Sequence, residues 1–339
     1  MALDRRTFWR LPLLAALAVV SLADTAANAE PRTVRIAKQY GISYLPLTIM
    51  QEKKLLEAEG KKLGLDLATE WVRFTGGPPM NEALISGNLD FASGGVGPMT
   101  TIWARTQNNL KVKGVTALNS MPLWLNTINP NVKTIKDFTE KDRIALPAVR
   151  VSMQAVILQM AAEKEFGKGQ SHRLDPWTVS LSHPDGLAQM MSGKSEITGH
   201  FTSAPFMYTE LEDSRVRRVL NSYDVFGGPH TFNVVWATEK LYKGEPKILE
   251  AFLAALRVAI KDINADPAAA AALWVKADKS KLSPAQAEKI IRDKENTWTM
   301  TPQKVMDVAG YMGRAKMIPV TPQSWKDLFV ENIHNLPGS

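Results

Sequence analysis

The sequence predicts an α/β fold made of two similar units, and three observations predict it. From Val34 onward, short β-type runs alternate with helical patterns, the arrangement of a largely parallel sheet covered by helices. A Ser-Gly turn pattern occurs twice, about a hundred residues apart. After Trp236 the β signal fades into helical periodicity, which predicts a helical C-terminal region packed on one unit.

The β-type runs are Val34–Ala37, Glu70–Phe74, Leu89–Ala92, Val112–Thr116 and Arg143–Leu146. Helix starts are readable between them. Thr75-Gly76-Gly77-Pro78 precedes the helical run Met80, Ala83, Leu84, and Gly97-Pro98 precedes Met99, Ile102, Trp103. Ser152 is a plausible N-cap for a helix running through Val156, Ile157 and Met160 to a stop at Gly167. The repeated pattern is Ser86-Gly87-Asn88-Leu89-Asp90-Phe91-Ala92, echoed by Ser192-Gly193-Lys194-Ser195-Glu196-Ile197-Thr198. In each case a helix end is followed by a turn, an acid and an apolar strand start. In the tail, Ile248, Phe252, Leu256 and Ile260 recur at i+4, Ser283-Pro284-Ala285-Gln286 is a capping box, and Thr301-Pro302 and Thr321-Pro322 open two further helices.

With 339 residues, 45% hydrophobic and 22% charged, the chain is neither disordered nor limited to one small core. Arg5, Arg6 and Arg10 precede an uncharged run from Leu11 to Ala23, followed by Ala27-Asn28-Ala29. That run is short of the ~20 residues a membrane-spanning helix needs. The expectation is an export signal over residues 1–29, cleaved before Glu30, and a periplasmic protein. Asp4-Arg5-Arg6-Thr7-Phe8-Trp9-Arg10 is similar to the twin-arginine motif, so that route and the general secretory route both stay open.

There is no cysteine, which excludes disulfides, thiolate metal sites, cysteine nucleophiles and a lipid-bearing cysteine anchor. The formal charge of +7 is spread along the chain, with no basic run interleaved with aromatics, so nucleic acid is not an expected partner. The histidines His172, His183, His230 and His334 share no metal spacing, and no nucleophile elbow or acid/base constellation is present. The reading is a binding protein with no cofactor and no enzymatic activity.

In parallel α/β sheets, ligands bind beyond the carboxyl ends of strands, where helix N-termini offer unpaired N–H groups. Here those places are Gln39 to Tyr44, Thr75-Gly76-Gly77, Gly94-Gly95-Val96-Gly97, Arg150-Val151-Ser152 and His200-Phe201-Thr202. Glycines that let backbone approach a ligand, joined to helix starts, favour a carboxylate, sulfonate or similar oxyanion. Arg150 is placed to pair with that oxyanion and His200 to donate to it. Tyr40, Tyr44, Met121, Trp124 and Phe201 are candidates for the cleft walls.

The run Trp71-Val72-Arg73-Phe74-Thr75-Gly76-Gly77-Pro78-Pro79, continuing through Glu82 to Ala92, resembles the nitrate/sulfonate/taurine family of ABC-importer solute-binding proteins. The resemblance covers roughly residues 32 to 236. It implies a two-lobed periplasmic-binding-protein clamp of type II, with two hinge crossings and mixed, mostly parallel sheets flanked by helices. It implies lobe 1 over 30–122 and 225–339 and lobe 2 over 123–224. The implied ligand contacts are Tyr40, Tyr44, Gly76, Gly77, Gly95, Val96, Arg150, Ser152, His200 and Phe201. A monomer that delivers a small anionic solute to a membrane permease and its ATPase follows from the same resemblance. A periplasmic sensor subunit would share the pocket and differ in its partner. Sulfonate and taurine binders of this family usually carry an acidic, tryptophan-containing stretch where this chain has Gly199-His200-Phe201-Thr202-Ser203-Ala204-Pro205. Nitrate, bicarbonate, an aromatic carboxylate and a pyrimidine-like compound therefore stay open as solutes.

Overall fold

A computed structural model describes residues 30–339, so the export signal expected over 1–29 lies outside the described residues. The strands are β1 (Arg32–Lys38), β2 (Leu67–Arg73), β3 (Ala92–Gly95), β4 (Lys113–Ala117), β5 (Trp124–Thr127), β6 (Arg143–Leu146), β7 (Thr178–Ser180), β8 (Ile197–Thr202), β9 (Arg217–Asn221) and β10 (Asn233–Ala237). Between β1 and β5 lie α1 (Leu45–Glu52), α2 (Leu55–Lys62), α3 (Gly77–Ile85) and α4 (Val96–Arg105). Between β6 and β10 lie α5 (Met153–Phe166), α6 (His183–Ser192), α7 (Phe206–Leu211) and α8 (Ser222–Phe226). The tail contributes α9 (Glu239–Tyr242), α10 (Pro246–Ala265), α11 (Pro267–Ala277), α12 (Pro284–Ile291), α13 (Val305–Arg314) and α14 (Trp325–Leu328).

The strands form a two-lobed α/β clamp in which both sheets have the same order. In the first, β1 pairs in parallel with β2, an Ile36–Phe91 bridge ties β1 to the approach to β3, and β10 lies antiparallel between β3 and β4. In the second, β6 lies parallel between β7 and β8, and β5 lies antiparallel between β8 and β9. The antiparallel pairings are confined to β5 and β10, and these are the strands reached by the chain as it passes from one sheet to the other. The sheets are therefore mixed rather than all-parallel.

The repeated Ser-Gly pattern has a structural counterpart. Gly87 follows α3 with φ 75° and Gly193 follows α6 with φ 63°, and each turn leads into the third strand of its sheet, β3 or β8. A left-handed residue after a helix satisfies the last carbonyls and reverses the chain, which glycine does without steric cost.

Ser152 caps α5 by accepting from Ala155 N, and Gly167 ends that helix. Phe91 and Phe252 are fully buried and stack at 4.1 Å, fastening α10 to the first sheet at about 1.5–3 kcal/mol of burial for each ring. Two helix starts differ from expectation. The helices anticipated at Thr301-Pro302 and Thr321-Pro322 begin at Val305 and Trp325. For the second, the reason is a closer cap: Ser324 accepts from Lys326 N while Asp327 reaches back to Ser324 N, a reciprocal box that outweighs the proline three residues upstream.

The chain crosses between sheets at 118–123 and 222–232. The crossings are tied by Ser120, which bridges to Thr231 and Thr297, and by His230. His230 is fully buried, donates from Nδ1 to its neighbour's carbonyl (2.9 Å) and accepts from Ser222 Oγ (2.8 Å). Burial, reinforced by the charge on Lys304, holds its pKa down to about 4. The unfolded chain takes up that proton near pH 6.5, the native one near 4, so this stabilisation is complete above about 6.5 and is lost as pH falls toward 4. The expected loss over that window is on the order of 3 kcal/mol. Urea midpoints at pH 7, 5.5 and 4.5 check it: His230→Gln should show a flatter pH dependence than the parent, and parallel curves would refute the assignment.

Candidate functional site

The carboxyl end of β1 delivers Gln39, Tyr40 and, a few residues on, Tyr44 to the gap between the sheets. The starts of α3 and α4 bring Gly77, Gly95 and Pro98 to the same place, and the second sheet answers with Ser152, Met153 and Gln154 at the start of α5, His183 at the start of α6, and Ser203 after β8. These residues enclose a cavity of about 20 Å³, room for about one water molecule. Four helix N-termini thus meet at one point, each with N–H groups unpaired within its helix and a partial positive charge.

The two halves approach closely because glycines face them. A Cβ on Gly95 would stand 2.6 Å from Met153 Cβ, and one on Gly76 would stand 3.1 Å from the Pro147 carbonyl oxygen. Gly41 lies under Ala204, whose carbonyl accepts from Ile42 N at 3.2 Å.

The cavity is lined by neutral polar groups. Tyr44 Oη accepts from Asn233 Nδ2 (3.0 Å), and burial pushes the phenol pKa up, so it stays uncharged. Gln39 donates to Ser93 O (3.2 Å). Ser203 Oγ is buried with no partner among the described residues, an arrangement that costs about 1–3 kcal/mol until a ligand or water bonds it.

Behind His183 runs a buried chain of hydrogen bonds. Glu210 Oε1 accepts from His200 Nδ1 (2.5 Å), while its other oxygen accepts from Asn126 Nδ2 (2.9 Å). His200 Nε2 is thereby left to accept from His183 Nδ1 (3.1 Å), which also reaches Thr202 Oγ1 (3.0 Å). His183 Nε2 then accepts from Gln154 Nε2 (3.2 Å). This order requires a neutral His183. Burial depresses its pKa well below the ordinary value. Gly186 makes room for the pair: a Cβ there would lie 2.7 Å from His200 Nε2.

Of the residues proposed from sequence, Tyr40, Tyr44, Gly77, Gly95 and Ser152 line this cavity. Gly76 is the N-cap residue of α3, and Val96, the first residue of α4, is fully buried beneath the cavity wall. His200 and Phe201 are both fully buried and do not line it; His200 stands behind the lining residue His183, 3.1 Å away. Arg150 is exposed in the tight turn between β6 and α5, with φ 66°, and is not among the cavity's lining residues. That turn, closed by Ser152 N donating to Ala148 O, spends its polar contacts on the helix start. Sequence reasoning placed Gln39 in a ligand-facing loop without singling it out, and missed Gln154, His183 and Ser203. His183 follows a strand and an N-cap serine, Ser182, the same signal used elsewhere; β7 escaped notice because it has three residues. Among the described residues, no group of three or more His, Asp or Glu is placed to hold a metal ion.

No family model matches the sequence, and no curated protein is similar to it. Solved structures are similar in fold. The alkanesulfonate-binding protein SsuA from Xanthomonas axonopodis pv. citri aligns with a TM-score of 0.68 at 18% identity, over 86% of this chain and 96% of that one. A Candida albicans protein described as exhibiting the generic periplasmic binding protein structural fold aligns at 0.65 and 13%, over 88% and 96%. This chain has the periplasmic binding protein fold. The periplasmic nitrate-binding protein NrtA from Synechocystis PCC 6803 shares it too, at 0.68 and 13%, over 90% of this chain and 87% of NrtA. In a periplasmic binding protein fold, the cavity described here lies where the two sheets face each other.

The Gly95–Met153 contact makes closure testable. Neither Cβ can rotate away, so Gly95→Ala should hold the halves apart, with an overpacking cost of about 1–3 kcal/mol in the closed form. Small-angle scattering should give a larger radius of gyration for the variant than for the parent. Equal radii with unchanged melting temperature would mean that the contact does not limit closure.

Proposed function

We propose that this chain is the periplasmic solute-binding component of an ABC importer, a clamp that captures a small anionic solute and catalyses nothing. The observation that carries this reading is the convergence of four helix N-termini and two sets of strand-end loops, from both sheets, on one enclosed polar cavity. Fold neighbours include proteins described as binding alkanesulfonates and nitrate. The cavity's positive potential comes from helix ends and neutral donors, since no lysine or arginine lines it.

On this reading, residues 30–122 and 225–339 form one lobe and 123–224 the other, moving about the crossings at Ser120 and His230. The amino-terminal segment 1–29 directs export, and a permease and its ATPase receive the closed form. The buried Glu210, His200 and His183 have the appearance of a proton relay. On this reading they do not act as one, since His183 Nε2 is occupied by Gln154. The chain of bonds instead fixes the ring that faces the solute.

Calorimetric titration with nitrate, bicarbonate, alkanesulfonates, aromatic carboxylates and pyrimidines tests the proposal. At least one anion should bind and raise the melting temperature. Ser203→Ala, which removes the cavity hydroxyl that has no partner among the described residues, should weaken that anion about tenfold to a hundredfold, the range of one lost buried hydrogen bond to a charged group, whereas Arg150→Ala should bind like the parent. A folded protein indifferent to the whole panel, or one that depends on Arg150 and not on Ser203, would overturn the site.

A further inference from the structure

Beside the small cavity, and sharing Tyr40 with it, runs a groove of about 560 Å³. One wall comes from α6 and the start of α7, with Leu187, Met191 and Phe206; the other comes from Tyr40 and, at the end of α11, Trp274. The walls are largely apolar, and the volume is that of an organic ligand site rather than of an inorganic ion. Trp274 is buried, and its indole N–H has no hydrogen-bond partner among the described residues. A buried donor left unpaired points to an acceptor that the protein itself does not supply. The rim carries three cations, Arg73, Lys279 and Lys281, against one carboxylate, Asp278. Arg73 binds Asp278 at 2.8 Å and lies over the Tyr40 ring at 5.2 Å from its centroid, which consumes the carboxylate and leaves the rim net positive.

We propose that this groove holds the apolar body of the solute, which makes the solute an organic anion with an aromatic or branched hydrocarbon part rather than a bare inorganic anion. The inference rests on the reading of the adjacent cavity as the solute site. It assigns the two spaces different tasks: the cavity and rim recognise the charge and its oxygens, and the groove selects the hydrocarbon. Because its walls belong to both lobes, a body seated there touches both and favours the closed form.

Two sulfonates that share a head group test this. Naphthalene-2-sulfonate should bind the full mature chain at least about tenfold more tightly than ethanesulfonate in calorimetric titrations. Leu187→Asp, at a half-buried helix position where folding can be verified by circular dichroism, should abolish that advantage, read as the ratio of the two affinities. Trp274→Phe, which keeps an aromatic wall and removes the N–H, should weaken the naphthalene probe about threefold to tenfold. Equal affinity for both probes in the parent, or an advantage that survives Leu187→Asp, overturns the groove's role and leaves the cavity reading intact. Silence from both probes and from the whole anion panel overturns both. Self-association of the parent that Leu187→Asp abolishes, with no preference for the aromatic probe, would assign the groove to a second copy of the chain and likewise overturn the proposal.

Discussion

The exchange of one strand between the two sheets is the constraint on which the rest depends. β10 completes the first sheet and β5 the second, each antiparallel to both of its neighbours and each reached by the chain only after it leaves the other sheet. A strand with partners on both sides cannot slip without breaking two ladders, so the crossings are held in place while the bodies they join remain separate. The crossings carry the buried Ser120 and His230, and the buried Asn233 opens β10; Ser120 Oγ donates to His230 O and Asn233 N to Asn119 Oδ1, so each bond ties one crossing to the other across more than a hundred residues of chain. Asn233 in turn bonds Tyr44, so a residue of the cavity wall is anchored to the strand that returns from the other lobe.

From that exchange follows the way the cavity is built. Strand order places the ends of β1, β3, β6 and β8 opposite one another, and the helices that follow present their N-termini to the gap. The electrostatics are then backbone electrostatics, and the side chains need only be neutral donors and acceptors held at fixed angles. An unpaired cation in so small and enclosed a space would carry a desolvation cost of several kcal/mol. Helix ends avoid this because their charge is partial and distributed. The cost reappears one layer down, where Glu210 and His200 are fully buried and are satisfied by each other, by Asn126 and by His183. The resulting rigidity fixes the His183 ring at the cavity wall.

Glycine has two distinct tasks in this molecule. At Gly87 and Gly193 it permits a left-handed turn into the third strand of each sheet, a local matter. At Gly95 and Gly76 the backbone is extended and any residue could adopt it; there the missing Cβ admits atoms of the opposite half. The two cannot be told apart along the sequence, since both appear as glycine near a helix end, but they fail differently when substituted. The first strains a turn, and the second separates two bodies.

The fold class, the repeated helix-turn-strand unit, the Ser152 cap and the glycine loops were legible in the sequence because they follow from local chemistry: periodicity, capping and allowed backbone angles. Tyr40, Tyr44, Gly77, Gly95 and Ser152 were legible for the same reason, as residues at strand ends and helix starts. Which of those positions face solvent, cavity or core was decided by tertiary structure alone. Arg150 looked like an anion ligand because it follows a strand; a left-handed turn leaves it exposed. His200 occupies a comparable position, but Gly186 and Glu210 draw it into the interior, and His183 takes the wall. A sequence states what a residue can bond, whereas the direction in which it points depends on what packs against it from segments far along the chain.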